Sequence, residues 1–280
     1  MIGVYWSPEF KGTIEIRNMV NKADSAEKVV EIKQGQSAEL DVRPARKGIY
    51  LLPNLLTTGA LFGGFYAVLS GFSGEYEWAA MAVFAAMLFD GLDGRVARMT
   101  NTQSDFGVQY DSLSDMVSFG VAPAIVAYGW GVSDLGKLGL AAAFVYASCA
   151  ALRLARFNVQ AGVSDGKVFT GLPSPVAAAL VAGFVWSLHD VEPSFWLSSL
   201  AAILTTTAGL LMVSNFEYPS FKQVDLKGKV PFIVILSAVM GFVVITIDPP
   251  RILLAIAIAF AFSAPLLWVG KKLRLIPARE

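Results

Sequence analysis

The sequence predicts an all-α integral membrane protein of about eight transmembrane helices, and three observations carry that prediction. Of its 280 residues, 55% are hydrophobic, and the mean hydropathy is +0.57. Whole runs of about 20 residues are apolar throughout, long enough to cross a bilayer as helices, where a soluble domain would alternate apolar and polar faces. Basic residues, finally, gather on alternate connections between those runs.

Residues 1–47 are polar and contain no such run, which marks them as a cytosolic N-terminal extension to a transmembrane domain over 48–280. Within them a loose alternation from Lys28 to Val42 points weakly to a strand. The first residues, Met1 to Lys11, lack a basic start followed by an apolar core, so no cleavable signal is expected. From Ile49 onward the spans fall at about 51–70, 77–97, 109–129, 138–158, 172–189, 195–213, 230–247 and 252–269. A single cysteine, Cys149, excludes an intrachain disulfide, and its apolar surroundings favour a packing role. No internal repeat or low-complexity tract is evident.

Charge sets the orientation. Every one of the 22 Lys and Arg residues except Lys137 and Arg251 lies in a terminal segment or in the connections joining spans two to three, four to five and six to seven. The positive-inside rule then places both termini and those connections on the cytoplasmic face of the cell (inner) membrane. An odd number of spans would spoil the segregation. Acidic and basic residues balance at 22 each, which by itself says nothing about nucleic acid; the distribution of charge is what matters, and no nucleic-acid partner is expected. Trp78, Tyr128, Trp130, Trp186, Trp196 and Trp268 sit near span ends, as interfacial anchors do.

One stretch conflicts with the lipid setting. Asp90, Asp93, Gly94, Ala97 and Arg98 share one helical face at the cytoplasmic end of the second span. Gly107, Asp111 and Asp115 share another at the start of the third. A short turn would bring the stripes opposite each other, with the small residues allowing backbones or a ligand to come close. An ionisable side chain at the centre of a membrane span costs roughly 2.5–3.5 kcal/mol on insertion scales, and facing carboxylates add repulsion. Arg95 and Arg98 neutralise at most two of the four aspartates. Oxygen-only ligands without nearby His or Cys suit hard divalent cations such as Mg²⁺, Mn²⁺ or Ca²⁺. One or two such ions would present positive charge to a phosphate-bearing substrate. A proton or cation pathway of a transporter is the alternative from a different class.

These residues stand as Asp-x2-Asp-Gly-x2-Ala-Arg-x8-Gly-x3-Asp-x3-Asp, from Asp90 to Asp115, which resembles the signature of the CDP-alcohol phosphatidyltransferases in full. The flanking Ser104–Ala124, Arg153–Asn158 and Gly171–Pro175 look like the phosphatidylserine synthase branch, and the resemblance covers about 48–247. It implies transfer of a phosphatidyl group from CDP-diacylglycerol to L-serine, with Mg²⁺ or Mn²⁺, two ions in all, and pairing as a homodimer. Asp90, Asp93 and Asp111 would ligate the metals, with Asp115 contributing to one of them and acting as general base on the acceptor hydroxyl. Asn54, Thr57, Gly94, Ala97, Arg98, Ser104 and Gly107 would line the CDP-diacylglycerol site. A sister enzyme using glycerol 3-phosphate or an inositol phosphate remains open on the same residues.

Arg153, Arg156 and Asn158, at the cytoplasmic end of the fourth span, are candidates for binding the serine carboxylate, since the Arg fork pairs with carboxylates. The same residues also read as simple topology determinants. The sole histidine, His189, falls at the outer end of the fifth span, away from the aspartates. Lys222–Lys229 and Lys271–Arg274 read as orientation signals that also hold anionic headgroups.

Overall fold

A computed structural model describes residues 51–100, 102–160, 168–219 and 232–272. The N-terminal segment with its weak strand signal, and the basic stretches over 222–229 and 273–280, lie outside them.

Helices occupy the described part of every stretch expected to span. They are α1 (Leu51–Phe72), α2 (Tyr76–Thr100), α3 (Asp105–Asp115), α4 (Ala122–Trp130), α5 (Lys137–Gln160), α6 (Ser174–Ser187), α7 (Phe195–Val213), α8 (Phe232–Ile247) and α9 (Pro249–Lys272). Four of them, α1, α5, α7 and α9, are long and apolar enough to cross a membrane. The shorter α6 is apolar throughout. The second helix is long but carries Glu77, Asp90, Asp93, Arg95 and Arg98. The protein is a multi-pass, predominantly helical membrane protein.

The third expected span departs from a plain helix. Between α3 and α4 the chain takes a π-helical turn over Met116–Val121, starting immediately after Asp115. Single π turns inside helices concentrate at functional sites. Three contacts hold this one. The Tyr146 hydroxyl, fully buried, donates to the Phe119 carbonyl at 2.9 Å. Ser118 Oγ donates to the Ala60 carbonyl at 2.9 Å, and Ser114 Oγ to the Thr57 carbonyl at 3.1 Å. Gly64 makes that approach possible, since a Cβ there would lie 2.6 Å from Ser118 Cα. Small residues likewise bring α1 against α2, with Gly63 facing Ala82 and Ala86.

A two-stranded antiparallel sheet ties the connections at one end together. β1 (Val168–Thr170) pairs with β2 (Glu217–Pro219), Phe169 opposite Tyr218. Tyr218 is fully buried, stacks on Phe260, and donates to the Ala261 carbonyl of α9 at 2.8 Å. Gly171 follows β1 at φ +82°, and its N–H reaches the Phe216 carbonyl at 2.9 Å. A side chain at that position would collide with the Met212 carbonyl, so glycine is needed on both counts.

The core is built of small residues and a few large ones, among them Val126, Tyr146, Leu180 and Met212. Cys149 packs within it, 7% exposed. Trp130 corrects the anchoring expectation: it is 3% exposed and meets Phe184 edge-on at 5.7 Å. The exposed Trp78, Trp196 and Trp268 fit an interfacial position better.

Candidate active site

Three helix ends build the site. The first turns of α1 supply Asn54 and Thr57, the last turns of α2 supply Asp90 to Arg98, and α3 supplies Gly107, Asp111 and Asp115. Between α2 and α3 the chain turns in a few residues. Thr102 N–H donates back to the Ala97 carbonyl at 3.0 Å, and Thr102 is buried beside the Thr100 hydroxyl at 2.7 Å. Ser104 then caps α3, its Oγ accepting from Gly107 N–H at 3.0 Å. A cap of this kind stabilises a helix by about 0.5–2 kcal/mol. A Cβ on Gly107 would crowd Ser104 Oγ at 3.2 Å and come within 3.6 Å of Asn54 Oδ1, so glycine lets both oxygens sit close.

The result is one cavity of about 270 Å³. Asn54, Thr57, Gly94, Ala97, Arg98, Ser104 and Gly107 all line it, together with Asp93 and Asp111. Residues more than fifty positions apart along the chain, which the family resemblance grouped, therefore share one surface. Thr102 and Gln103 line it too and were missed by sequence reasoning. Their only signal was the shortness of the connection that carries them.

The carboxylates converge at the inner wall. Asp90, Asp93 and Asp111 each present an oxygen within 4.8 Å of the others. Thr57 Oγ1 donates to Asp93 Oδ2 at 2.7 Å, and both residues are buried. One oxygen of Asp111 is buried without a hydrogen-bond partner among the described residues. Asp115 stands near Asp90 and Asp111, close enough for their charges to interact. Carboxylates gathered in this way repel one another unless a proton or a cation is shared among them. Among the described residues no ion pair reaches any of the four. Three convergent oxygens, an orphan acceptor and the absence of nitrogen or sulfur donors fit a hard divalent cation.

The three candidates on α5 part company. Arg153 lies near enough to Asp115 for their charges to interact, and its Nη1 donates to Ser174 Oγ at 2.7 Å. Arg156 instead donates to Asn215 Oδ1 at 3.1 Å. Asn158 exchanges hydrogen bonds with Ser112, at 3.0 and 3.2 Å, tying α5 to α3. His189 stands at the other end of α2, near Glu77 at 3.6 Å and Asp190 at 3.0 Å.

The CDP-alcohol phosphatidyltransferase family matches residues 50–213, a stretch that contains the whole cavity and all four aspartates. The chain belongs to this family. A Helicobacter pylori CDP-diacylglycerol–serine O-phosphatidyltransferase is 39% identical over 198 residues, covering 70% of this chain and 83% of the relative. The enzyme of that name from Methanocaldococcus jannaschii is 44% identical over 139 residues, 50% of this chain and 62% of its own. An archaetidylserine synthase from Methanothermobacter thermautotrophicus is 39% identical over 170 residues, 60% of this chain and 69% of its own.

Proposed function

We propose that this protein transfers the phosphatidyl group of CDP-diacylglycerol to the hydroxyl of L-serine, giving phosphatidylserine and CMP. The observation that carries the reading is the single cavity in which the polar and small residues from Asn54 to Gly107 adjoin Asp93 and Asp111. The relatives' names supply the acceptor.

In this reading Asn54, Thr57, Gly94, Ala97, Arg98, Ser104 and Gly107 cradle the CDP portion, with Arg98 as the fixed positive charge facing its phosphates. Asp90, Asp93 and Asp111 would hold two divalent ions, Mg²⁺ or Mn²⁺, with Asp115 contributing to one of them. Ions held by these carboxylates would supply positive charge to the diphosphate and so favour departure of CMP. Asp115 takes the proton of the serine hydroxyl as its oxygen bonds to the lipid-bearing phosphorus and the bond to CMP breaks. An alcohol is a weak nucleophile at neutral pH, so this proton transfer is the step a carboxylate must provide. Arg153, beside Asp115, meets the serine carboxylate, while Asn158 and Arg156 hold α5 in place through Ser112 and Asn215. The concentration of Lys and Arg on the connections at this end supports a cavity open to the cytoplasm, with the enzyme in the cell's inner membrane. Residues 1–47 complete the reading as a cytosolic extension, and two copies associate as a homodimer.

The test offers purified protein CDP-diacylglycerol and Mg²⁺ or Mn²⁺ with L-serine, glycerol 3-phosphate or an inositol phosphate, and measures CMP. Serine alone should support release, and a chelator should abolish it. Release with another alcohol but not serine moves the assignment to a sister enzyme. Ion flux in liposomes without CMP release would place the protein among transporters.

A further inference from the structure

The contact between Arg153 and Ser174 is the polar feature next to the aspartates that the reaction above leaves without a role. Ser174 opens α6 and is 1% exposed, so its hydroxyl has no access to bulk water. Its oxygen accepts the 2.7 Å bond from Arg153 Nη1, whereas Arg153 Nε is buried with no partner among the described residues. A guanidinium held at one corner keeps its remaining N–H groups aimed in a fixed direction, and a bidentate carboxylate needs that direction set. The position of Ser174 is itself held. Gly171 and Leu172, just before it, donate to the Phe216 and Leu211 carbonyls at 2.9 Å each, and Pro173 occupies the N-cap position, its carbonyl accepting from Val176 and Ala177 N–H at 3.0 Å. The start of α6 is thereby stitched to the end of α7, and Ser174 cannot drift with Arg153.

We infer that Ser174 is a positioning residue for the acceptor amino acid: it orients Arg153 so that the free edge of the guanidinium receives the substrate's carboxylate next to Asp115. The inference rests on the reaction proposed above, and names Arg153 with Ser174 as its acceptor-discriminating pair. It separates two kinds of binding. Removing the Ser174 hydroxyl weakens the hold on the amino acid while leaving the CDP-lipid cavity, built from α1, α2 and α3, unchanged.

Steady-state CMP release by the full-length protein, with serine and CDP-diacylglycerol varied in turn, tests it. Loss of a hydrogen bond to a charged group corresponds to about a tenfold effect or more. For Ser174→Ala the KM for serine should rise about tenfold, while the KM for CDP-diacylglycerol changes less than about twofold. Ser174→Thr, which keeps the hydroxyl, should restore the serine KM. Ser174→Ala added to Arg153→Lys should cost little beyond Arg153→Lys alone, since the serine acts through the arginine. Should Ser174→Ala not yield folded protein, Ser174→Cys, of nearly the same size and a weaker acceptor, should raise the serine KM in its place. An unchanged serine KM in the folded variant, or an equal rise in both KM values, overturns the inference. Wild-type protein that releases no CMP with serine overturns instead the reaction on which it rests.

Discussion

The two ends of the helix bundle handle charge in opposite ways. At one end, His189 lies against Glu77 and Asp190, and Arg251 pairs with Asp248 at 3.0 Å. Each of these acids has a basic partner, and most of the groups are exposed to solvent. At the other end four aspartates converge within and beside a cavity, and among the described residues none has an ion-pair partner. Helix α2 carries both arrangements, Glu77 in its first turn and Asp90 and Asp93 roughly 20 Å further on at 1.5 Å per residue. The paired acids of the first end are mostly exposed, where a neighbouring base or water serves them. The four aspartates, with only Arg98 and Arg153 among the described residues near enough to act on them, crowd more negative charge together than those neighbours offset.

The largest effect that would break this comparison is at Asp115. Asp115→Asn keeps the size of the side chain and its place before the π turn but removes the proton acceptor. General-base contributions run to about 10²–10⁴-fold, so kcat for CMP release should fall by that amount. Protein yield and cation-induced thermal stabilisation should persist, because Asp90, Asp93 and Asp111 still converge. Retention of more than about a tenth of the wild-type kcat would remove Asp115 from the role of base.

A smaller effect is expected at Thr57, which touches the carboxylates without being one. Its hydroxyl donates to Asp93 Oδ2 at 2.7 Å and fixes which way that carboxylate points. Partners of this kind, behind a metal ligand, typically alter metal affinity 10–100-fold. Thr57→Val, which preserves shape, should raise the half-activating Mn²⁺ concentration about tenfold, read from CMP release at saturating substrates. An unchanged activation curve would mean that Asp93 is oriented by its helix alone.

How much of this was legible in the sequence follows from the range of the forces involved. The helices were readable because lipid demands long apolar runs and closes off other backbone solutions. The aspartate stripes were readable because helical spacing is local, and Asp90, Asp93 and Asp111 do meet. The π turn was not, since it depends on Tyr146, Ala60 and Gly64, which reach it from other helices. The β1–β2 pairing joins residues about fifty positions apart, and three-residue strands leave no periodicity to detect. The acceptor side shows the same limit. Arg153, Arg156 and Asn158 look alike in sequence, being three polar residues on one helix end. Only their partners Ser174, Asn215 and Ser112, all distant along the chain, tell them apart.

The smallest effect sharpens the comparison from the other end. His189 Nδ1 sits 2.7 Å from the Trp186 carbonyl, and its Nε2 faces Glu77 and Asp190, whose side chain is 85% exposed. Exposed pairs of this type contribute about 0–1 kcal/mol, and salt screens them further. His189→Gln keeps a hydrogen-bonding side chain and removes the imidazole. It should leave kcat and both KM values within about twofold of wild type, and the thermal midpoint within a few degrees. Because α2 is a continuous helix from Tyr76 to Thr100, a larger loss of CMP release would mean that strain at Glu77 travels along it to Asp90. That result would turn two independent ends into one coupled device. A silent substitution leaves the partnered end as scaffold and the unpartnered end as the site.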